Sequence, residues 1–242
     1  MTVALVLSMM LVAALVRSVF GFGDSLLAMP VLTLALGIKT AAPLIGLTSL
    51  ALATAMLLVS RRAVDLRATK QLLPWIVLGI PVGIVALIKA PQGPVSLALG
   101  VSLIAYGLYA LTGPRLPEVR SAAWVAPVGL LSGALGGAFN TNGPPIVVYG
   151  SLKRWPPEVY RATLQANFLT AAFFIALGHG LGGLWTERVL ALFLATVPAL
   201  IAGFWLGRVV SRRIPAARFA GALMTLIVSL GVMLTVEGVR VW

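Results

Sequence analysis

Gly21-Phe22-Gly23-Asp24-Ser25 and Asn140-Thr141-Asn142-Gly143-Pro144-Pro145 are the two stretches whose reading decides the fold. Each breaks a long apolar run, and each is made of residues that interrupt helix: glycines with no Cβ, prolines with no N–H, and short polar side chains. In a bilayer an unpaired backbone N–H or C=O costs several kcal/mol, so broken helix survives only inside protein or beside a watery cavity. Paired breaks at matching places in two halves of a membrane chain are the sequence mark of a transporter's binding site.

The surroundings of the two breaks fix the class. Hydrophobic residues make up 60% of the 242, charged residues 10%, and mean hydropathy is +1.04. A soluble domain carries about a quarter charged residues, so the composition indicates an all-α, polytopic membrane protein. No polar stretch is long enough to fold separately, so residues 1–242 are expected to form a single transmembrane domain. The formal net charge of +12 would suggest nucleic acid in a soluble chain. Here most of the basic residues lie in short loops, where they act as topology signals, and no nucleic-acid partner is expected. There is no cysteine, hence no thiolate metal site or disulfide, and no cofactor is called for. The first segment lacks a basic leader, so a cleaved signal peptide is not expected.

Apolar segments fall at 3–20, 24–37, 41–59, 73–89, 94–112, 122–139, 143–152, 157–178, 187–206 and 217–236. Two are too short to cross a core of roughly 30 Å: 24–37 reaches about 21 Å and 143–152 about 15 Å. Each follows a break. The pairs 3–20/24–37 and 122–139/143–152 therefore read as broken, re-entrant hairpins that return to the side they entered from. With the loop at 61–70 in the cytoplasm, the hairpin reading also places 113–121, 151–161 and 207–218 there. Thirteen of the eighteen Lys and Arg then lie inside, with Lys39, Lys89, Arg188 and Arg240 outside and Arg17 within a segment. A single crossing over 122–152 would send the last two clusters outward, against the positive-inside rule. Trp124, Trp155, Trp185 and Trp242 fall near the expected interfaces, as belt residues do.

Each half then holds one returning hairpin and three transmembrane helices. Three crossings are an odd number, so the second half must lie upside down relative to the first: an inverted repeat of 1–120 and 121–242. Weak internal similarity agrees. At an offset of 115, Leu15 matches Leu130, Gly21 matches Gly136, Pro30 matches Pro145, Thr48 matches Thr163 and Ala51 matches Ala166.

The start of a helix has N–H groups without intrahelical partners and roughly half a positive charge from the aligned peptide dipoles. Two buried starts converging from opposed halves near mid-membrane make an anion site built from backbone, with no buried Lys or Arg required. The candidate substrate-binding residues are accordingly Gly21, Phe22, Gly23, Asp24, Ser25, Asn140, Thr141, Asn142 and Gly143. Asp24 is the one carboxylate placed within the membrane rather than at a segment's solvated end, which marks it either as a coupling proton site or as an N-cap on 24–37. An ionised Asp24 would repel an anion, so a raised pKa or a nearby cation is required; Arg17, seven residues earlier, is the candidate for that cation or for a direct contact with the anion, the alternative being that it snorkels to the interface. Thr163, Gln165 and Asn167 on segment 157–178, with Thr48 in the related stretch of the first half, are candidate pathway-lining residues. Ser49 accompanies Thr48 there. His179, the single histidine, is expected to be a plain interfacial residue.

The glycine-rich turn ending in Pro30, its counterpart from Gly133 to Pro145, and the stretch Tyr160-Arg161-Ala162-Thr163-Leu164-Gln165-Ala166-Asn167-Phe168 resemble the TauE/SafE family of sulfite and organosulfur anion exporters. That resemblance implies transport of an anion such as sulfite, sulfoacetate or a related sulfonate across the cytoplasmic membrane, without bound cofactor. Many relatives carry a third glycine where this chain has Asp24.

The expected function is thus secondary export of a sulfur-containing anion by a multi-pass protein of the cell membrane, not an enzyme. Its partners are the small anion and the lipid bilayer, with a homodimer admitted. An anion channel and an H⁺-coupled exchanger using Asp24 are the alternatives. Gly21-Phe22-Gly23-Asp24 also spells the pattern of intramembrane aspartyl proteases, but that chemistry needs two carboxylates sharing a proton. The other aspartate, Asp65, lies in a basic loop. A serine hydrolase fails for want of a histidine base near a Gly-x-Ser-x-Gly serine.

Overall fold

The computed structural model describes residues 2–59, 66–113, 118–119, 121–154, 157–213 and 216–240. Among the described residues there are ten α-helices: α1 (Thr2–Phe20), α2 (Asp24–Leu36), α3 (Ile38–Val59), α4 (Leu66–Lys89), α5 (Gln92–Thr112), α6 (Val125–Phe139), α7 (Gly143–Leu152), α8 (Pro157–Leu181), α9 (Glu187–Arg213) and α10 (Ala216–Arg240). A 3₁₀ turn at Ala122–Trp124 leads into α6, and no strand occurs among the described residues. Among the described residues, eight stretches are long and apolar enough to cross a membrane, on every helix except α2 and α7, with the 3₁₀ turn extending that of α6. The chain is therefore a multi-pass helical membrane protein. Helix satisfies each N–H within its own segment, which is what the apolar composition demands of a spanning element.

The apolar segments match these helices, with differences at the ends. α9 and α10 continue to Arg213 and Arg240, past 206 and 236, because backbone pairing persists where the side chains turn polar. α1 and the turn-plus-α6 stretch are each of spanning length, Val3–Phe20 and Ala122–Phe139, and each is followed across its break by one of the short helices α2 and α7. The expectations at Arg61, Arg62, Asp65, Arg115, Arg120, Trp155 and Trp242 fall outside the described residues. Trp124 and Trp185 are exposed, as belt residues would be.

Three helix pairs dominate the packing: α4 with α6, α5 with α10, and α1 with α9. Lipid tails are as apolar as leucine, so helices associate where small residues let backbones approach. Glycines supply that here. A Cβ added at Gly133 would strike the carbonyl of Ile76, at Gly137 that of Ile80, and at Gly83 that of Ala134. Along α1 and α9, Gly203 and Gly207 lie against the carbonyls of Leu11 and Leu15. In α5 and α10 the close residues recur every seven positions, Gly100 facing Gly231 and Thr235 and Gly107 facing Met224 and Val228. α2, α3, α7 and α8 contact one another and the pairs around them, and carry the two breaks.

Candidate functional site

Both breaks are tight, and glycine conformation makes the first of them. Gly21 and Gly23 have φ of +85° and +97°, a region L-residues with a side chain enter only under strain. Gly21 N–H donates to the Arg17 carbonyl at 2.7 Å, closing α1. Leu27 N–H donates to the Gly23 carbonyl at 3.2 Å, opening α2. The N–H groups of Asp24, Ser25 and Leu26 thus belong to the unpaired first turn. At Gly21 an added Cβ would also lie 2.8 Å from the Gln165 amide nitrogen, which donates to the Gly21 carbonyl at 3.0 Å.

The second break uses Asn140 at φ +56° to end α6, a conformation asparagine tolerates. Asn140 N–H and Thr141 N–H donate back to the Gly136 and Leu135 carbonyls, and the Asn140 amide donates to the Ala42 carbonyl on α3 at 2.7 Å. Ser132 donates to the Asn142 carbonyl at 2.6 Å. Pro144 and Pro145 remove two N–H groups from the first turn of α7, leaving the Asn142 and Gly143 N–H groups as its free backbone donors. Gly136 makes room for Asn142: a Cβ there would sit 3.0 Å from the Asn142 Cβ.

The two turns meet at one small cavity of about 30 Å³. From the breaks come Phe22, Gly23, Asp24, Ser25, Asn140, Thr141, Asn142 and Gly143; Arg17, Ser49 and Phe168 come from α1, α3 and α8. Arg17 Nη1 donates to both Asp24 carboxylate oxygens, each at 2.9 Å, and both residues are 5% exposed. This is the snorkelling alternative overturned: Arg17 turns inward because Asp24 is there. The N-cap alternative for Asp24 fails too. Gly23 is the cap residue, no side chain caps α2, and the Asp24 oxygens are held by Arg17 and by Ser49, which donates at 2.7 Å. The single Ser49 proton goes to Asp24, so Ser25 is the donor in the 3.3 Å contact between the two hydroxyls.

One edge of the guanidinium is left over. Arg17 Nε and Nη2 are buried without a hydrogen-bond partner, and so is Asn142 Nδ2. The Phe168 ring lies under the cation at 6.0 Å and touches the Gly143 position, where a Cβ would be 3.4 Å from its edge.

Five candidates lie off this cavity: Gly21, Thr48, Thr163, Gln165 and Asn167. Gln165 holds the Gly21 turn from behind. Asn167 is fully buried and donates to the Thr163 carbonyl at 2.8 Å within α8. Thr48 bonds back to the Ile45 carbonyl of its own helix, while its neighbour Ser49 reaches the carboxylate. The α8 face toward the cavity is Phe168, Ala172 and Ile175 at helical spacing, a stripe with no polar marker. His179 is not interfacial. It is fully buried and its Nε2 lies 2.8 Å from the Gly137 carbonyl; since a carbonyl only accepts, Nε2 carries the proton. Its Nδ1 and the Asn140 Oδ1 both lie 3.1 Å from where a Gly46 Cβ would be, so the glycine leaves room for both. No group of three or more metal-ligating side chains occurs among the described residues.

No curated protein and no solved structure matches the chain. The family model described as Sulfite exporter TauE/SafE matches residues 6–234, a stretch that runs from α1 into α10 and takes in both breaks. The chain accordingly belongs to the TauE/SafE sulfite exporter family.

Proposed function

We propose that this protein exports a sulfur-containing oxyanion across the cytoplasmic membrane, holding it at the buried starts of α2 and α7. The observation that carries this reading is the set of unpartnered buried donors at that place: Arg17 Nε and Nη2 with Asn142 Nδ2. Buried donors in native proteins are almost always paired, so three of them around one cavity are waiting for acceptors. The free Nε–Nη2 edge is the fork that takes two oxygens of one anion side by side. Asn142 Nδ2 and the Gly143 N–H are donors for a third. A sulfite or sulfonate group presents three such oxygens on one sulfur. Family membership, the free fork and the helix starts thus agree on substrate chemistry.

Direction follows from the membrane potential. With the cytoplasm negative, outward movement of one negative charge is favoured by about 2.3 kcal/mol per 100 mV. Export needs no second driving ion.

The same proposal includes an inverted repeat of 1–120 and 121–242, its two hairpins bringing the breaks together. The pairing of helices supports it. If α1 corresponds to α6 and α4 to α9, the pair α1/α9 is the counterpart of α6/α4, and both are dominant pairs; α5/α10 is its own counterpart. Leu15 and Leu130, matched at an offset of 115, each put a carbonyl against a partner glycine, Gly207 and Gly79.

Asn142→Ala tests the site with little disturbance, since its amide nitrogen supports nothing else. Loss of a hydrogen bond to a charged ligand is worth about 1.5–3 kcal/mol, so sulfite flux from proteoliposomes should fall by about 10- to 100-fold with folded yield unchanged. Undiminished flux in the variant would remove Asn142 from the site.

A further inference from the structure

We propose that Asp24 sets the valence the site accepts, so that singly charged anions are carried and doubly charged ones refused. This inference rests on the reading of the cavity as an anion site and adds which anions it takes. Arg17 and Asp24 are the ionisable side chains on the cavity wall. Their charges cancel at 2.9 Å, with both groups buried. What remains is the potential of two helix starts, roughly half a positive charge each and so about one in total. A monoanion brought there leaves the enclosure close to neutral. A dianion leaves about one uncompensated negative charge in a low-dielectric interior, which disfavours it.

Geometry makes the effect local. The Asp24 carboxylate shares the Arg17 guanidinium with the incoming anion, one through Nη1 and the other through the free Nε–Nη2 edge. A second charge on the substrate therefore sits across a single planar group from a fixed negative charge. The Ser49 hydroxyl, and Ser25 behind it, hold the carboxylate in that position. Asp24→Asn preserves the shape, retains an oxygen for Arg17, and raises the charge of the pair by one.

The test uses two anions of nearly the same shape. Methanesulfonate carries one charge at all accessible pH, whereas methylphosphonate carries one at acidic pH and two at alkaline pH. Flux of each is measured in proteoliposomes with the potential clamped at zero, and methanesulfonate flux at both pH values controls for the protein's own response. In the wild type at alkaline pH, methanesulfonate should be preferred at least tenfold, about 1.4 kcal/mol. In Asp24→Asn that ratio should fall by tenfold or more. A competition measurement needs no variant: methylphosphonate should inhibit wild-type methanesulfonate flux when singly charged and not when doubly charged. Equal handling of both charge states by the wild type, or an unchanged ratio in folded Asp24→Asn, overturns the valence assignment alone. Absence of flux and of competition for either anion overturns the anion-site reading, and this inference with it.

Discussion

Arg17→Leu should abolish anion flux and lower the stability of the fold by about 3–5 kcal/mol, the cost of leaving a buried carboxylate without its partner. Asp24 is 5% exposed and would keep only the Ser49 hydroxyl. The double variant Arg17→Leu/Asp24→Leu separates the two effects. Replacing a buried ion pair with apolar side chains is often neutral or stabilising, so thermal stability in detergent should return to near the wild-type value. Flux should not return, because the free guanidinium edge is gone. If the double variant transports sulfite at the wild-type rate, Arg17 is a structural residue and its unpartnered nitrogens have no role with substrate.

Gly133→Val has the second large effect, and it acts far from the anion. Gly133 lies on the α6 face that meets α4, where even a methyl group would collide with the Ile76 carbonyl and approach Gly79 Cα at 2.9 Å. Those are backbone atoms of a helix and cannot step aside. Overpacking typically costs about 1–3 kcal/mol, and occasionally more, as a branched side chain against a carbonyl requires. Folded yield after purification should fall sharply. Gly221→Ala is the matched comparison: nothing lies within 4 Å of its added Cβ on α10. Alanine is better than glycine in a helix by roughly 0.5–1 kcal/mol, so this variant should be neutral or slightly more stable. Equal behaviour of the two variants in a melting experiment would mean that close glycine packing does not hold α4 to α6.

The helices could be located from the sequence because hydropathy acts over twenty residues at a time, and both breaks stood out because glycine, proline and asparagine are rare inside spans. The inward turn of Arg17 was legible only as one of two alternatives, since both demand the same residue at the same place. The bonds from Arg17 Nη1 to both Asp24 oxygens decide between them. Thr48 and Ser49 are adjacent on α3, and which of them faces Asp24 depends on the rotation of that helix, something an apolar sequence with little amphipathic contrast does not encode. The same uncertainty put Thr163 and Asn167 forward on α8 and passed over Phe168, Ala172 and Ile175. His179 read as interfacial because glycines flank it; they admit close neighbours instead, and its ring is enclosed against the Gly137 carbonyl.

The most direct measurement is anomalous diffraction from crystals soaked with selenite, a heavier-atom counterpart of sulfite. A selenium peak should lie within ~4 Å of Arg17 Nη2 and Asn142 Nδ2, as an oxyanion hydrogen-bonded to both requires. A peak elsewhere in the bundle, from protein that transports sulfite, would contradict the account.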